Sequence, residues 1–564
     1  MDRLKSLCIS LICAGVRVHQ AAREKSGRDN MRDTTVTPTH LNTHILMGRA
    51  NGGSFMTRIK RALPALPLCL LLLLSACGGN RGTAAVIYDD APVSAAPLDR
   101  SPAPAPAPPA WPGAEAEALE ILSLPYELGP TGGGDSAPLR GWLSLPAQGD
   151  GLPLVIVLHG NHNSKDPDGR FYEGFSYLTD ALASRGWAAV SLDLQEAYRK
   201  GGMDDGPLSG EIAGAHLEAL KRADGGEALF PTDLTGRLDL GRVVVVGHSR
   251  GGDAALELAC QREEVIAACA VAPNLRRADK EWRDIPMAVL VPAQDGDVGT
   301  LDGYAYLYPR YEAGLHSVTS LTLLEGANHN YFNAKLTLDD AEHTGGAGCS
   351  PEQQRDFLCR WLGDFCGSVL AGNAAPFGMA EQIPLEMYGL PVRNLCFNAD
   401  MALLTDSGQA AAVSSGCRTR RIGVDSKTND LRIPLSWGTG HALTFWELSW
   451  DQPGGVADLP LRGGDLSGFE RLVIALAPIG EEAPEGLSIA LTDEAGHSAV
   501  AGLPKLDQLS AGDGYTVFAG LSVPLSAFQG VDLGQVARLS FTAERGAVWA
   551  ASVWGVPASH NTAS

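Results

Sequence analysis

The run Arg242-Val-Val-Val-Val246-Gly247-His248-Ser249-Arg250-Gly251-Gly252 sets a serine between glycines two positions away on either side, where four valines give way to a helical pattern over residues 253–260. Glycine is needed there because a Cβ would collide with the neighbouring strand or helix when the serine occupies a strained turn. The strain holds Oγ above the sheet edge, within reach of a base. A hydroxyl nucleophile then needs three companions: a base to take its proton, a carboxylate to fix that base, and two preorganised N–H donors for the oxyanion that forms on the attacked carbonyl.

The elements that would position such groups alternate along the chain. Short apolar runs at 139–145, 154–158, 188–192, 242–246, 265–271, 287–291 and 318–324 read as strands. Helical patterns at 174–185, 211–223, 251–260 and 351–366 lie between or after them. Strands alternating with helices predict a parallel sheet covered on both faces, an α/β class. From about residue 376 the helical signals fade. Runs such as Arg471-Leu-Val-Ile-Ala-Leu476 and Val536-Ala-Arg-Leu-Ser-Phe541, punctuated by Gly, Pro and Asp, predict an all-β sandwich over 376–564.

With the serine turn after the fifth strand, residues 114–375 resemble an α/β-hydrolase, sharing features with the dienelactone hydrolase, platelet-activating-factor acetylhydrolase and cutinase-like polyester hydrolase branches. The resemblance implies Ser249 as nucleophile in a nucleophile elbow, with acid and base following it at later strand ends. His329, in Leu324-Glu-Gly-Ala-Asn-His329, comes off the last strand and matches the base loop; His316 precedes that strand, His343 lies in a Gly-rich loop, and His248 is enclosed in the elbow. The acid falls in Pro292-Ala-Gln-Asp295-Gly-Asp297-Val298. Asp295 fits the family's G-x-x-D-x-x-V spacing, but Pro292 replaces the usual glycine and leaves Asp297 as a rival. The loop His159-Gly160-Asn161-His162-Asn163 resembles the HG oxyanion loop, so the expected donors are the N–H groups of Arg250 and Asn161, or His162 by a one-residue slip, with His159 organising the turn.

The 564 residues carry 44 Lys+Arg against 65 Asp+Glu, for a net charge of -21, so nucleic acid and anionic bilayers are poor partners. No sequence motif points to a metal or nucleotide cofactor. Met56-Thr-Arg-Ile-Lys-Arg61 followed by the apolar stretch 62–76 has the basic and apolar regions of a secretory signal, ending Leu74-Ser75-Ala76-Cys77. That ending resembles the bacterial lipobox and implies lipidation of Cys77, hence a protein anchored in a bacterial cell envelope. Residues 1–55, without sustained periodicity, read as an upstream mis-start with no fold. Residues 77–113, Ala/Pro-rich, read as an extended tether. Seven cysteines follow Cys77, and Cys396 and Cys417 are one pair able to close a loop.

These residues predict a serine carboxylic-ester hydrolase acting through an acyl-enzyme. Its ester would be free, polymeric or glycan-borne. Alternatives are a peptidase or amidase of the same fold, or a carbohydrate-binding surface lipoprotein with a vestigial hydrolase. Segments 465–474 and 523–533 resemble galactose-binding-like jelly rolls of carbohydrate-binding modules. Trp437, Trp446 and Trp450 are then either a sugar platform or core residues, the second being favoured. Only residues 273–284 separate the sixth and seventh core strands, too few for a helical cap. That predicts an open site rimmed by residues 172–177 and 195–207.

Overall fold

The computed structural model describes residues 86–88, 93–96, 98, 110–111, 118–129, 139–163, 169–202, 205–274, 282–298, 302–341, 346–372, 383–424, 443–479, 484–503 and 518–557. The signal-like segment, Cys77, His343 and Trp437 lie outside them. The strands of the first part are β1 (Val86–Tyr88), β2 (Ala110–Trp111), β3 (Ile121–Leu128), β4 (Leu139–Pro146), β5 (Leu152–Leu158), β6 (Ala188–Leu192), β7 (Leu238–His248), β8 (Val265–Val271), β9 (Met287–Pro292), β10 (Thr319–Leu324), β11 (Glu386–Met387) and β12 (Leu390–Phe397). All but β1 form one sheet in the order β2-β11-β12-β10-β9-β8-β7-β5-β6-β4-β3. Its centre, β6 through β10, is parallel, while β4 and β12 run antiparallel to their neighbours.

Both faces of the central strands are buried, so they read as continuous apolar runs instead of alternating ones. Leu154, Ile156 and Leu158 of β5 face one cluster with Leu217 and Leu220 of α3 (Gly206–Asp224) and Leu256 and Leu258 of α4 (Arg250–Gln261). Val155 and Val157 face the other, with Leu178 and Leu182 of α1 (Ser176–Ala183) and Phe357, Trp361 and Leu362 of α6 (Pro351–Leu370). Two short helices, α2 (Gln195–Gly201) and α5 (Leu307–Glu312), complete this half. The start of α6 is set by its sequence: Ser350 and Gln353 cap each other's amides and Pro351 occupies the first turn, where no N–H is needed.

The remaining strands make two antiparallel sheets. One is β1-β15-β16-β23-β18-β21, with β13 (Ala402–Asp406) also on β23, where β15 is Cys417–Val424, β16 Leu443–Trp450, β18 Phe469–Pro478, β21 Ala519–Pro524 and β23 Gly546–Pro557. The other is β14-β17-β22-β19-β20, formed by Ala412–Val413, Gly455–Leu459, Val536–Ala543, Ser488–Asp493 and Ser498–Gly502. Trp446, Leu472 and Ile474 of the first share a core with Ile489, Leu491 and Phe541 of the second. Trp446 and Trp450 are therefore packing residues, 0% and 2% exposed, and offer no stacking surface.

Three features depart from the expected segmentation. First, the large sheet continues past residue 376, since β11 and β12 lie beyond that boundary. β12 hydrogen-bonds β10 antiparallel from Thr319↔Phe397 to Leu324↔Val392, closing an edge that would otherwise stay unpaired. Second, parts of the 77–113 segment are paired: β1 lies on β15, Ala95 N–H donates to Val413 O at 2.9 Å, and β2 lies beside β11. Free sheet edges recruit an extended chain whose composition forbids a core of its own. Third, Cys396 and Cys417 are not bridged to each other: both are buried free thiols.

The outer face of the seven-stranded sheet also packs on the α/β half. Trp554 of β23 is 1% exposed and meets Tyr311 of α5 edge-on at 4.9 Å and Phe397 of β12 at 4.8 Å between ring centroids. Trp554→Ala should therefore cost about 3–5 kcal/mol, as large-to-small changes in closed cores do. An unchanged denaturant midpoint would show that this contact does not hold the halves together.

Candidate active site

β7 ends at His248 and α4 begins at Arg250, leaving Ser249 alone in the turn with φ +55° and ψ -126°. A non-glycine residue there is strained and persists only where its surroundings over-determine it. They do. A Cβ on Gly247 would lie 1.8 Å from Gly251 O, and one on Gly251 would lie 2.3 Å from Leu158 O. Ser249 N–H donates to Val271 O at 2.9 Å, while Ser249 O accepts from Gly252 N–H at 2.9 Å. The amide of Arg250 is at the first position of the helix, where no intrahelical acceptor exists.

The loop after β10 carries His329, 0% exposed. Its Nδ1 lies 3.0 Å from Asp295 Oδ2. The other Asp295 oxygen accepts from Val298 N–H at 2.6 Å and Asp297 N–H at 3.1 Å, so its carboxylate is held as a pure acceptor. Asp297 points elsewhere: its side chain is 65% exposed and Oδ2 lies 3.5 Å from His329 Nε2. Burial disfavours a charge on His329, but the attraction and hydrogen bond of Asp295, with Asp297 and Asp340 adding, outweigh it and hold the imidazole pKa up at about 9. Nε2 makes no hydrogen bond among the described residues, Ser249 Oγ included. Such bonds commonly tighten only in the substrate complex.

Two positioning groups had no signal in the sequence. Asp340 Oδ2 accepts from both Gly296 N–H at 2.8 Å and His329 N–H at 3.2 Å, and Oδ1 accepts from Asn330 N–H at 2.9 Å, so one carboxylate ties the Asp295 loop to the His329 loop. A Cβ on Gly296 would lie 1.9 Å from Asp340 O, which explains the glycine between the two aspartates. His248 Nε2–H donates to His329 O at 3.0 Å, linking the serine turn to the His329 loop. Its pKa is held well below the usual histidine value by burial and by the neighbouring histidines, so it stays neutral.

The loop after β5 lies against the serine: a Cβ on Gly160 would sit 2.6 Å from Ser249 Cβ and 3.0 Å from the His162 ring. His159 is buried with both nitrogens used, Nδ1–H donating to Gly160 O at 2.8 Å and Nε2 accepting from Leu194 N–H at 2.9 Å. Both contacts tie its ring to the backbone around the loop. Asn161 and His162 are half-buried, and the His162 ring stacks on His248 at 5.2 Å. The Arg250 side chain turns away to pair with Asp205 and the Gly202 carbonyl, with its guanidinium 5.4 Å from the Tyr198 ring centre. His316, at the other end of β10, is exposed and paired with Asp400 at 2.7 Å.

The expected open cleft is not what these residues form. Ser249 is only 3% exposed, Tyr172 and Phe175 are buried, and residues 195–201 and 206 onward, expected as rim loops, are helices α2 and α3. The absence of a long insertion between β8 and β9 does not leave the serine bare, and Gly160 of the β5 loop lies against it.

No family model matches the chain. It is 30% identical over 164 residues to a bis(hydroxyethyl) terephthalate hydrolase of Streptomyces coelicolor, an overlap of 29% of this chain and 47% of the relative. It is also 27% identical over 165 residues to cutinase est1 and 28% over 162 residues to cutinase est2, both of Thermobifida alba, covering 29% of this chain and 50% and 49% of those proteins. The chain spans about half the length of the curated relatives it matches. The names of these relatives are those of carboxylic ester hydrolases, and the likeness supports an α/β-hydrolase esterase region.

Proposed function

We propose that this protein is a serine hydrolase of carboxylic esters. Ser249 Oγ attacks the ester carbonyl while His329 Nε2 takes its proton; Asp295 holds Nδ1–H and stabilises the imidazolium. The N–H groups of Arg250 and Asn161 receive the oxyanion, and the imidazolium then returns the proton to the departing alkoxide. Water, deprotonated by the same nitrogen, releases the acyl group. The observation that carries this reading is the buried Asp295–His329 pair, tied through His248 to a serine held at positive φ in a turn that only glycines can flank.

The named substrates of the relatives point to diesters of aromatic acids or to polyesters. A serine 3% exposed favours a narrow ester segment that can thread to it over a broad, rigid surface. For location, the Met56–Cys77 pattern supports a lipid anchor in a bacterial envelope. One experiment addresses both. Expressed from Met56 in a bacterial host, the protein should be labelled by a fluorophosphonate probe at Ser249 and recovered with membranes, and Cys77→Ser should release the labelled species or leave it unprocessed. Absence of a Ser249 adduct by mass spectrometry removes the enzymatic reading; unchanged fractionation of Cys77→Ser removes the anchor.

A further inference from the structure

His329 sits between two carboxylates of one loop, and they address different nitrogens. Asp295 accepts from Nδ1, which leaves the neutral imidazole with its lone pair on Nε2. Asp297 Oδ2 lies 3.5 Å from that same nitrogen. A carboxylate facing a lone pair is repelled, and the contact becomes attractive only when Nε2 carries a proton. The resting geometry therefore favours the imidazolium, the one protonation state that cannot accept the serine proton.

We infer that Asp297 is a positioning residue that holds the proton on His329 Nε2 in the resting site and so throttles the attack of Ser249 at neutral pH. The inference rests on His329 acting as base for Ser249. Its step is a simple exchange: the Nε2 proton leaves to solvent, the freed lone pair turns to Ser249 Oγ–H, and that proton crosses to Nε2 as the Oγ–carbonyl bond forms. Among the described residues no other charge near the ring does this. Asp295 addresses Nδ1, and Asp340 accepts from the backbone N–H of His329 rather than its ring. His248, with its ring centroid 4.8 Å from that of His329, and His162 stacked behind it are both kept neutral by burial. The raised His329 pKa agrees in direction.

The sign follows from the role. A base with its pKa near 9 is mostly protonated at pH 7, so kcat/KM should climb with pH through about 9. Asp297→Asn keeps the side chain's size and removes its charge. Its rising limb should move down by about one pH unit, which is about a tenfold gain in kcat/KM at pH 7. Because Asp297 is mostly exposed, about 1 M salt should shift the parent limb in the same direction and the variant limb much less.

The measurement is the pH profile of kcat/KM on a soluble nitrophenyl ester for parent and Asp297→Asn, each corrected for a Ser249→Ala blank. Superimposed limbs, or loss of turnover at every pH in Asp297→Asn, overturn the inference. Turnover that survives in the Ser249→Ala blank overturns instead the assignment of Ser249 as nucleophile with His329 as its base, so the two failures are told apart.

Discussion

Ser249→Ala is expected to fold with the melting behaviour of the parent and to lose ester turnover by a factor on the order of a million, as removal of the nucleophile does in such triads. The replacement isolates chemistry from structure. Alanine keeps the Cβ, so the +55° backbone and its neighbours at Gly160 and Gly251 are unchanged, and only Oγ is removed. Ser249→Gly would be a poorer probe because it also relieves the positive φ, worth about 1–3 kcal/mol. Hydrolysis by pure Ser249→Ala protein at even one hundredth of the parent rate would refute Ser249 as the nucleophile.

Asp295→Asn should reduce kcat by roughly ten thousandfold, with the fold intact. An amide at this position still hydrogen-bonds His329, but it can donate to Nδ1 and so moves the imidazole proton to Nε2, the nitrogen that must accept from serine. Burial adds to the effect, because Asp295 and His329 are 4% and 0% exposed and no water competes for the contact. The two aspartates of the loop thus make opposite predictions: loss at Asp295 and a neutral-pH gain at Asp297. If Asp297→Asn proves the more damaging of the pair, the acid has been assigned to the wrong carboxylate.

Much of the site was legible because its constraints are local. The glycines around Ser249 answer to atoms a few residues away and to one adjacent strand, so a short motif carries the turn. The central strands were equally plain: the expected runs 188–192 and 265–271 coincide with β6 and β8, since a strand buried on both faces is almost wholly apolar, Ser191 being the one hydroxyl in these two. The choice between Asp295 and Asp297 was open in the sequence, because both lie in one tight loop and only the direction of each side chain separates a 3.0 Å contact at Nδ1 from an exposed carboxylate at Nε2. Asp340 was invisible for a different reason: its partners, Gly296 and His329, come from two loops that meet only in three dimensions. The β12 strand, with its Pro391 and Arg393, read as part of the sandwich because nothing in its composition says which sheet it will complete. The shielding of Ser249 was missed since a missing cap was taken to mean an open site, whereas the serine is 3% exposed with Gly160 of the β5 loop lying against it.

The pairing of β1 with β15 also sets an order of events in time. Val86 meets Gly423, so the first described strand leaves the ribosome long before its partner exists. During synthesis it must wait, and contacts so distant in sequence are slow to close. The α/β half is made earlier, yet the β12 strand that seals its edge and the Trp554 ring that covers Tyr311 arrive later. Until then an apolar flank and an open strand edge face the surroundings, the kind of surface that aggregates or calls for a chaperone. A chain built this way is best made whole: its assembly, like its site, depends on residues that the order of the sequence keeps apart.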